Sequence, residues 1–438
     1  MLTVDHIIHA SWIITCEETN KILKDHALII HEGLIKDILP SKDVKQHYTS
    51  NSVQYYGSHA IIPGLINGHT HLGMTYLRGV ADDLALMNWL NNYIWPAEKK
   101  WVGHEFVRDN TEFAIAELLR SGTTCFNEMY FFMNDTAKAA EKASIRAKIG
   151  AHVITFPTNW AKDLNEELEK AEDFIQTYQN NPLVNATMAA HAIYTVPEAP
   201  LLRVKEMADR YNLKINIHVH ETAHEVRQSL AETKLTPIQR LEKIGYMTPQ
   251  IIAIHMTQIN DTDLEILKAG KPNIVHCPLS NMKLASGVCP VEKLQAAGLN
   301  VALGTDSSAS NNDLSMINEM RMASLLAKLS SLNPESLSAE NVLKMATING
   351  AKALGIDHIT GSLEKGKAAD FAAIDLDHIE TQPLYHPISQ IVYAASRQQV
   401  DHVWVAGKQL MKNRELLTLD EKALIAKAKE WGEKIKNT

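Results

Sequence analysis

The chain has few cysteines, and no two of them are close together. Its 438 residues contain four, Cys16, Cys125, Cys277 and Cys289, so neither a zinc knuckle nor a disulfide framework is indicated. Positive charge is also in short supply, because 43 Lys and Arg stand against 51 Asp and Glu, for a net charge of −8. This balance argues against nucleic acid or an anionic membrane as the main partner.

Long apolar runs and phosphate-binding glycine loops are missing too. No run of 18 apolar residues occurs, and residues 1–15 lack the basic start of a signal peptide, so we expect a cytoplasmic protein with no membrane partner. Neither GxGxxG after a first strand nor GxxxxGK[ST] is present. A nucleotide-phosphate site built on such a loop is therefore not indicated.

Both ends of the chain read as short strands. Residues 6–15 and 26–39 alternate apolar and polar residues around Glu32-Gly33, and residues 369–376 and 401–411 repeat this style. Two such partial β-regions would bury their apolar faces by pairing. We therefore expect residues 1–60 and 361–438 to form one small discontinuous β-domain, with a terminal helix over 419–437.

Between these ends, apolar runs alternate with helical stretches. The eight runs are 60–71, 122–130, 146–154, 184–192, 213–221, 250–256, 273–278 and 299–307. Eight regular βα units predict an α/β fold of the (β/α)₈ barrel type over residues 61–360. A doubly wound open sheet is the alternative, although it does not need eight such units.

Polar residues follow the predicted strands where a barrel collects its catalytic groups. His69 and His71, two residues apart on strand one, face the same side and can reach one ion, whereas the alternative is a pair of solvated loop histidines. His218, His255 and Asp306 follow strands five, six and eight. Three of these histidines together with Asp306, around one ion, suit a divalent first-row metal, zinc above others, with an open position for water.

These motifs resemble the amidohydrolase superfamily. PGLINGHTH (63–71), HVHE (218–221), the histidine after strand six and GTDSSASNN (304–312) carry the resemblance over essentially the whole chain. Within that superfamily, IWPAEKKW (94–101), AHAIYTV (190–196) and PLSNMKLASG (278–287) are similar to the deaminases of 5′-methylthioadenosine and S-adenosylhomocysteine. PLSNMKLASG also resembles triazine hydrolases and guanine deaminases, so it does not decide the substrate by itself.

The resemblance implies a role for each site residue. The implied metal ligands are His69, His71, His218 and Asp306, holding a single divalent ion. Glu221 matches the acid/base glutamate, His255 the histidine beside the attacking water, His191 the purine contact and Glu98 the ribose contact. The resemblance also implies a β-sandwich built from both termini and a homodimer or homotetramer. Catalytic roles fall to Glu221, His255 and Asp306, of which Glu221 also touches the purine.

Two neighbouring histidines compete with this assignment. His220 lies two residues from His218 and could be the ligand instead, although the HxxE pattern selects His218. His276, beside Cys277, could join the rim, although a packed barrel interior is the simpler interpretation.

We therefore expect a zinc-dependent deamination of an adenosine-type nucleoside at purine C6, giving an inosine-type product and ammonia. The candidate substrates are 5′-methylthioadenosine, adenosine and S-adenosylhomocysteine. The last ranks lower, because the family members that bind its carboxylate do so with arginines, and residues 121–200 offer only Arg146. The alternatives are deamination or dechlorination of a free heterocycle such as guanine, a pterin or a triazine, and a non-catalytic scaffold.

Overall fold

The computed structural model describes residues 1–436. The strands are β1 (Leu2–Thr3), β2 (His6–Ile14), β3 (Ile22–His31), β4 (Leu34–Pro40), β5 (Tyr48–Thr49), β6 (Val53–Pro63), β7 (Leu65–Thr70), β8 (Thr123–Met129), β9 (Arg146–Val153), β10 (Val184–Ala192), β11 (Ile215–Val219), β12 (Ile251–His255), β13 (Asn273–His276), β14 (Val301–Leu303), β15 (Phe371–Asp375), β16 (Val400–Val405), β17 (Lys408–Lys412) and β18 (Glu415–Leu416).

The helices alternate with the middle strands and continue to the end of the described chain. They are α1 (Val44–His47), α2 (Leu86–Trp89), α3 (Trp95–Trp101), α4 (His104–Arg120), α5 (Met133–Ala143), α6 (Leu164–Tyr178), α7 (Glu198–Tyr211), α8 (Ala223–Thr233), α9 (Pro237–Lys243), α10 (Asp261–Gly270), α11 (Pro278–Lys283), α12 (Val291–Ala296), α13 (Ser308–Asn311), α14 (Met316–Ser331), α15 (Ala339–Met345), α16 (Ile348–Leu354), α17 (Pro387–Tyr393) and α18 (Glu421–Lys436). A π-helical turn, Leu90–Ile94, joins α2 to α3.

Strands β7 to β14 form a parallel barrel in chain order. Each strand pairs in parallel with the next along the chain. A parallel bridge between Thr70 and Asp306 brings the first strand to the end of the last. The predicted α/β barrel is thereby confirmed, and the carboxyl ends of its strands share one rim.

The first predicted strand divides between two sheets. Residues 60–63 of that run end β6 in the terminal sheet, and β7 of the barrel begins at Leu65. Gly64 lies between them, where a Cβ atom would stand 2.0 Å from Thr124 Oγ1. Only glycine allows the backbone to pass this close to β8, so the apolar run continues through a change of sheet.

Both ends of the chain contribute to the second sheet. Its order is β18-β17-β16-β15-β6-β2-β3-β4, and one face packs around Ile8, Leu28, Phe371 and Trp404. This confirms the expected β-structure assembled from both termini. The predicted helix over 419–437 is α18, and position 437 lies outside the described residues.

Buried amides support the barrel beneath its rim. Asn67 Nδ2 donates to Thr305 Oγ1 at 2.7 Å, and Asn127 Nδ2 donates to Asn216 Oδ1 at 2.7 Å. These bonds join strands across the barrel interior and satisfy polar groups that would otherwise be costly to bury. Among residues 1–436, no helix has both the length and the apolar character needed to cross a bilayer.

Candidate active site

Four side chains converge where β7, β11 and β14 end. His69 Nε2 lies 3.1 Å from His218 Nε2 and 3.2 Å from Asp306 Oδ1, and His71 Nε2 lies 3.2 Å from the same carboxylate oxygen. All four potential ligand atoms lie within 4.8 Å of one another. Ligands 2.0–2.1 Å from a tetrahedral ion are about 3.3 Å apart, so these separations fit a divalent metal.

Hydrogen bonds behind the ligands set the histidine tautomers. His71 Nδ1 donates to the Met129 carbonyl at 2.6 Å, and His218 Nδ1 donates to the His191 carbonyl at 2.8 Å. Each Nε2 therefore presents a lone pair to the centre of the group. Burial lowers the pKa of His218 well below its usual value, which keeps the ring neutral, as ligation requires.

Asp306 is held as an anion. Its Oδ2 accepts hydrogen bonds from Ser280 Oγ at 2.6 Å and Ser310 Oγ at 3.0 Å, which leaves Oδ1 directed at the imidazoles. Burial opposes ionisation, but the close approach of His69 and His71 keeps the pKa of this carboxyl well below its usual range. Its backbone has a φ of 61°, a costly conformation of the kind that collects at functional sites.

Glu221 and His255 lie beside this group. Glu221 Oε2 is 3.8 Å from His255 Nε2, and His255 Nδ1 is fixed by Asn281 Oδ1 at 2.9 Å. Burial raises the pKa of Glu221, although the charge of His255 opposes this. A buried carboxyl with a raised pKa accepts a proton more readily than an exposed one, which suits it to general acid/base work.

Glu225 supports the segment that carries Glu221. Its carboxyl group accepts hydrogen bonds from the backbone N–H groups of His220 at 3.1 Å and Glu221 at 2.7 Å. Thr222 caps the same helix, α8, by accepting from the Glu225 N–H. The loop after β11 is thus fixed by the first turn of its own helix.

A cavity of about 630 Å³ extends from the metal-ligand group. Its walls are largely apolar and aromatic, and their larger members are Met74, Leu86, Trp89, Leu90, Ile94, Trp95, Phe131, Phe156 and Trp160. A mostly apolar cleft with a few converging polar groups is the usual form of a small-molecule site. Its volume is sufficient for a nucleoside-sized ligand.

Glu98 faces this cavity from α3. Its Oε1 accepts a hydrogen bond from Tyr130 Oη at 2.7 Å, and burial raises the pKa of its carboxyl to about 7. His191 lines the cavity too, with its ring centroid 5.1 Å from that of His218 and its Nδ1 2.7 Å from Thr195 Oγ1. The structure therefore brings all eight candidate residues to one cavity or to the metal-ligand group at its end.

The competing histidines have other partners. His220 Nδ1 donates to the Gln258 carbonyl at 2.5 Å, and its Nε2 accepts the N–H of Ile238 at 3.3 Å, so both ring nitrogens are used. His276 is buried and does not line the cavity. Neither residue belongs to the four-ligand group.

Within residues 1–436, one other group of potential ligand atoms lies close together: His59, Asp401 and His402 in the terminal sheet. His402 Nδ1 accepts the N–H of Asn413 at 3.3 Å, so in the neutral ring Nε2 carries the proton. That tautomer has no lone pair at Nε2 to offer an ion. The group is therefore a hydrogen-bonded histidine cluster.

Sequence reasoning missed several residues of the cavity, of which three are polar groups with a direct bearing on the site. Tyr130 contacts Glu98, Asn159 caps the helix that carries Glu98, and His152 faces the cavity from the end of β9. His152 had a readable signal, since a polar residue at the end of a barrel strand points to the site. The contacts of Tyr130 and Asn159 link distant parts of the chain and have no local pattern.

Arg146 lies away from the cavity. It begins β9 at the opposite end of the barrel, where its guanidinium forms two hydrogen bonds to Asp370, at 2.9 and 3.2 Å. Among the described residues, Lys99 is the only Lys or Arg in the cavity lining.

Comparison with known proteins gives consistent matches. The model of the amidohydrolase family matches residues 60–410. A curated 5-methylthioadenosine/S-adenosylhomocysteine deaminase of Teredinibacter turnerae is 43% identical, covering 99% of this chain and 98% of that protein. A protein of the same name from Pyrococcus furiosus is 38% identical, covering 96% and 98%.

Solved structures match over the same length. A crystal structure of an adenosine deaminase from Xanthomonas campestris with bound zinc superposes with a TM-score of 0.98 at 43% identity, covering 100% of this chain and 99% of that one. An atrazine chlorohydrolase from Arthrobacter aurescens, at 21% identity and a TM-score of 0.90, covers 98% of this chain and 100% of the other and shares the fold.

Proposed function

Because this chain belongs to the amidohydrolase family and is a metal-dependent aminohydrolase, we propose that it deaminates an adenosine-type nucleoside at purine C6 and uses a single zinc ion. The products are the inosine-type nucleoside and ammonia. His69, His71, His218 and Asp306 are the proposed ligands.

One observation carries this proposal: a carboxylate suited to a ribose lies in the same cavity as the ligand group. Glu98 and Glu221 both line that cavity, and Tyr130 fixes one oxygen of Glu98. A carboxylate accepts hydrogen bonds from two neighbouring hydroxyls, which is how a ribose diol is held. The names of the relatives at 43% identity support the same substrate class.

A divalent ion held by His69, His71, His218 and Asp306 would supply hydroxide at neutral pH, because such an ion lowers the pKa of bound water to about 7. Glu221 receives the proton that this water loses and delivers it to purine N1, which makes C6 more electrophilic. His255 and Asp306 orient the attacking oxygen, and both are fixed for this by Asn281 and by Ser280 with Ser310. The hydroxyl group added at C6 then loses its proton to Glu221, which passes it to the amine, so the C6–N bond breaks, ammonia leaves and the C6 carbonyl of the product forms.

The chemistry of the cavity walls indicates which 5′ substituents of the nucleoside fit best. Trp89, Trp95 and Phe156 give the cavity an apolar surface, and Lys99 is the single Lys or Arg in its lining among the described residues. Arg146 is engaged by Asp370 on the far side of the barrel. We therefore rank 5′-methylthioadenosine and adenosine above S-adenosylhomocysteine, whose zwitterionic tail would lose hydration there without matched charge partners.

A nucleoside panel tests the proposal. Protein reconstituted with zinc should release ammonia from 5′-methylthioadenosine and adenosine, with the accompanying change in ultraviolet absorbance, and should have a lower kcat/KM for S-adenosylhomocysteine. Turnover of none of the three would disprove the proposal. Replacing Glu98 by Ala should raise KM for ribonucleosides, and an unchanged KM would show instead that no ribose is held, as expected for a free heterocycle.

A further inference from the structure

Six aromatic side chains form a closed ring around the inner part of the cavity. The neighbouring ring centroids are His71 to Tyr130 at 6.4 Å, Tyr130 to Phe131 at 5.2 Å, Phe131 to His152 at 4.5 Å, His152 to His191 at 6.3 Å, His191 to His218 at 5.1 Å and His218 to His71 at 5.5 Å. Two of them, His71 and His218, belong to the ligand group. Phe131 and His152 stand across the ring from those two.

His152 differs from the other histidines of this ring because it has no role in the proposed chemistry and because its Nδ1 makes no hydrogen bond within residues 1–436. It is 3% exposed, and its Nδ1 is buried without a hydrogen-bond partner among the described residues. His71, His191 and His218 each use Nδ1 in a hydrogen bond. A buried ring nitrogen without a hydrogen-bond partner is energetically unfavourable, and a bound ligand that supplies the bond offsets this cost.

Its direction follows from the strand. Gly150, two residues earlier on β9, faces the barrel interior, where a Cβ atom would stand 2.6 Å from the Cβ of Ala189. Side chains two residues apart on a strand share a face, so His152 also points inward, at the level of the cavity. Burial lowers the pKa of His152 well below its usual value, so the ring is neutral and offers one donor and one acceptor.

We propose that His152 is a substrate-contacting residue that hydrogen-bonds the nucleoside on the side remote from C6, at purine N3 or a sugar hydroxyl. This inference rests on the proposed function. The reacting carbon must lie at the ligand group, next to His71 and His218. The atoms of a purine nucleoside on the opposite side of the base are N3 and the sugar, and these reach the Phe131 and His152 side of the ring.

Replacing His152 by Phe and by Gln tests the contact. We expect His152→Phe to raise KM for adenosine about tenfold, the effect of one lost hydrogen bond, with kcat within about twofold of wild type and bound zinc unchanged. His152→Gln retains a donor and an acceptor and should recover part of the loss. The exposed His358→Phe is the matched control. A KM that is unchanged in His152→Phe overturns the inference, as does a loss confined to thermal stability.

Nucleoside analogues identify the atom that His152 contacts. The KM values of 2′-, 3′- and 5′-deoxyadenosine as substrates and the inhibition constant of 3-deazaadenosine are measured on wild type and His152→Phe. The variant should lose no affinity for the one analogue that lacks the contacted group, while the others weaken. If all four weaken equally, the assignment to the remote side is wrong. Absence of nucleoside turnover by wild type would instead defeat the proposed function and this inference with it.

Discussion

At the scale of single residues, hydrogen bonds behind the site decide what each side chain can do. The carbonyl groups of Met129 and His191 accept Nδ1–H of His71 and His218, so each ring can present only Nε2 to the centre. Asn281 Oδ1 likewise accepts Nδ1–H of His255. Ser280 and Ser310 both donate to one carboxylate oxygen of Asp306, which leaves the other oxygen available. The site is therefore ordered before any substrate arrives, which reduces the cost of reaching the reactive geometry.

Replacing Glu221 by Gln should lower kcat by about 10²–10⁴-fold with little change in KM, because the amide cannot shuttle a proton but keeps the size of the side chain. Bound metal should be unchanged, since Glu221 is not a member of the four-ligand group. Steady-state kinetics with adenosine and metal analysis of the same samples check this. Glu232→Gln, on the exposed face of α8, is the matched control.

A kcat for Glu221→Gln within a factor of ten of wild type would exclude Glu221 as the proton carrier. His255, whose Nε2 lies 3.8 Å from the Glu221 carboxylate, would then be the next candidate.

Individual site residues could be predicted where strand geometry and barrel topology together fix their position. His69 and His71 share a face because strand side chains alternate, and Asp306 ends the last strand at the rim that they also occupy. The choice of His218 over His220 needed either a family pattern or the structure, since both histidines follow the same strand. In the structure, His220 is engaged by Gln258 and Ile238.

At the scale of elements, one irregular helix sets the position of Glu98. Residues 86–101 run as α2, a π-helical turn and α3 without a break. The extra residue in the π turn shifts the later residues by one position, so Trp95 and Glu98 face the cavity together with Leu86 and Leu90. The apolar spacing of this segment changes partway, so its sequence does not show the periodicity of a single regular helix.

Asn159 fixes the carboxyl end of that helix. Its Nδ2 donates to the carbonyl groups of Lys99 at 2.9 Å and Val102 at 3.0 Å and approaches that of Glu98 at 3.4 Å. Asn159→Ala should raise KM for ribonucleosides severalfold while kcat stays within about twofold, because the helix end loses its cap and Glu98 its fixed position. Kinetics with adenosine and 2′-deoxyadenosine measure this.

The isosteric Asn159→Asp should lose as much as Asn159→Ala, because a carboxylate cannot donate to carbonyl groups. Asn92→Ala, which removes one exposed bond to Asn88 on the same helix, is the control. Wild-type kinetics in Asn159→Asp would contradict the role of Asn159 as a donor.

The strands of the barrel were more predictable than their connections. Every predicted barrel run contains one observed strand, because buried parallel strands form short continuous apolar runs. The exception in detail is the run over 60–71, which supplies the end of β6 and all of β7. The sequence stays apolar through this run, so hydrophobicity does not show where the chain leaves the terminal sheet and enters the barrel. That change of sheet depends on the close contact of Gly64 with Thr124.

At the scale of the whole molecule, the terminal sheet and the barrel are joined by buried polar contacts. We propose residues 1–60 with 361–438 as one unit and 61–360 as the other. Asp370, next to β15, accepts from Arg146 of β9 and from the backbone N–H of Ala406 at 2.7 Å. The carboxylate thus binds barrel and terminal sheet at once.

His402 makes the terminal sheet sensitive to acid. Burial lowers the pKa of His402 to about 4, with the charge of His59 acting in the same direction, and its ring stacks on Tyr56 at 4.2 Å. An unfolded histidine has a pKa near 6.5, so below that pH the unfolded chain binds a proton that the folded state does not. Stability is therefore present above pH 6.5 and is lost as pH falls toward 4.

Urea unfolding at pH 7.5, 6.5, 5.5 and 5.0 checks this for wild type and His402→Asn, which keeps an acceptor for the Asn413 N–H. As pH falls, the free energy of unfolding of the variant should decrease less steeply than that of wild type. The two slopes should differ by at most about 1.4 kcal/mol per pH unit, the value for one proton. The metal ligands contribute equally to the pH dependence of stability in both proteins, so subtracting the curve of the variant from that of wild type removes their contribution. Parallel curves would show that His402 does not contribute, and the exposed His358→Asn serves as reference.

Removing Arg146 should destabilise the protein without impairing catalysis. In Arg146→Met the fully buried Asp370 carboxylate keeps only its backbone contacts, and loss of one partner of a buried pair costs about 3–5 kcal/mol. Urea unfolding measures this loss, and KM for adenosine should be unchanged because Arg146 lies at the far end of the barrel. Arg146→Met combined with Asp370→Asn should recover part of the loss, since no uncompensated charge remains buried. The exposed Arg203→Met should cost less than about 1 kcal/mol, and a similarly small cost for Arg146→Met would mean that the pair does not hold the two sheets together.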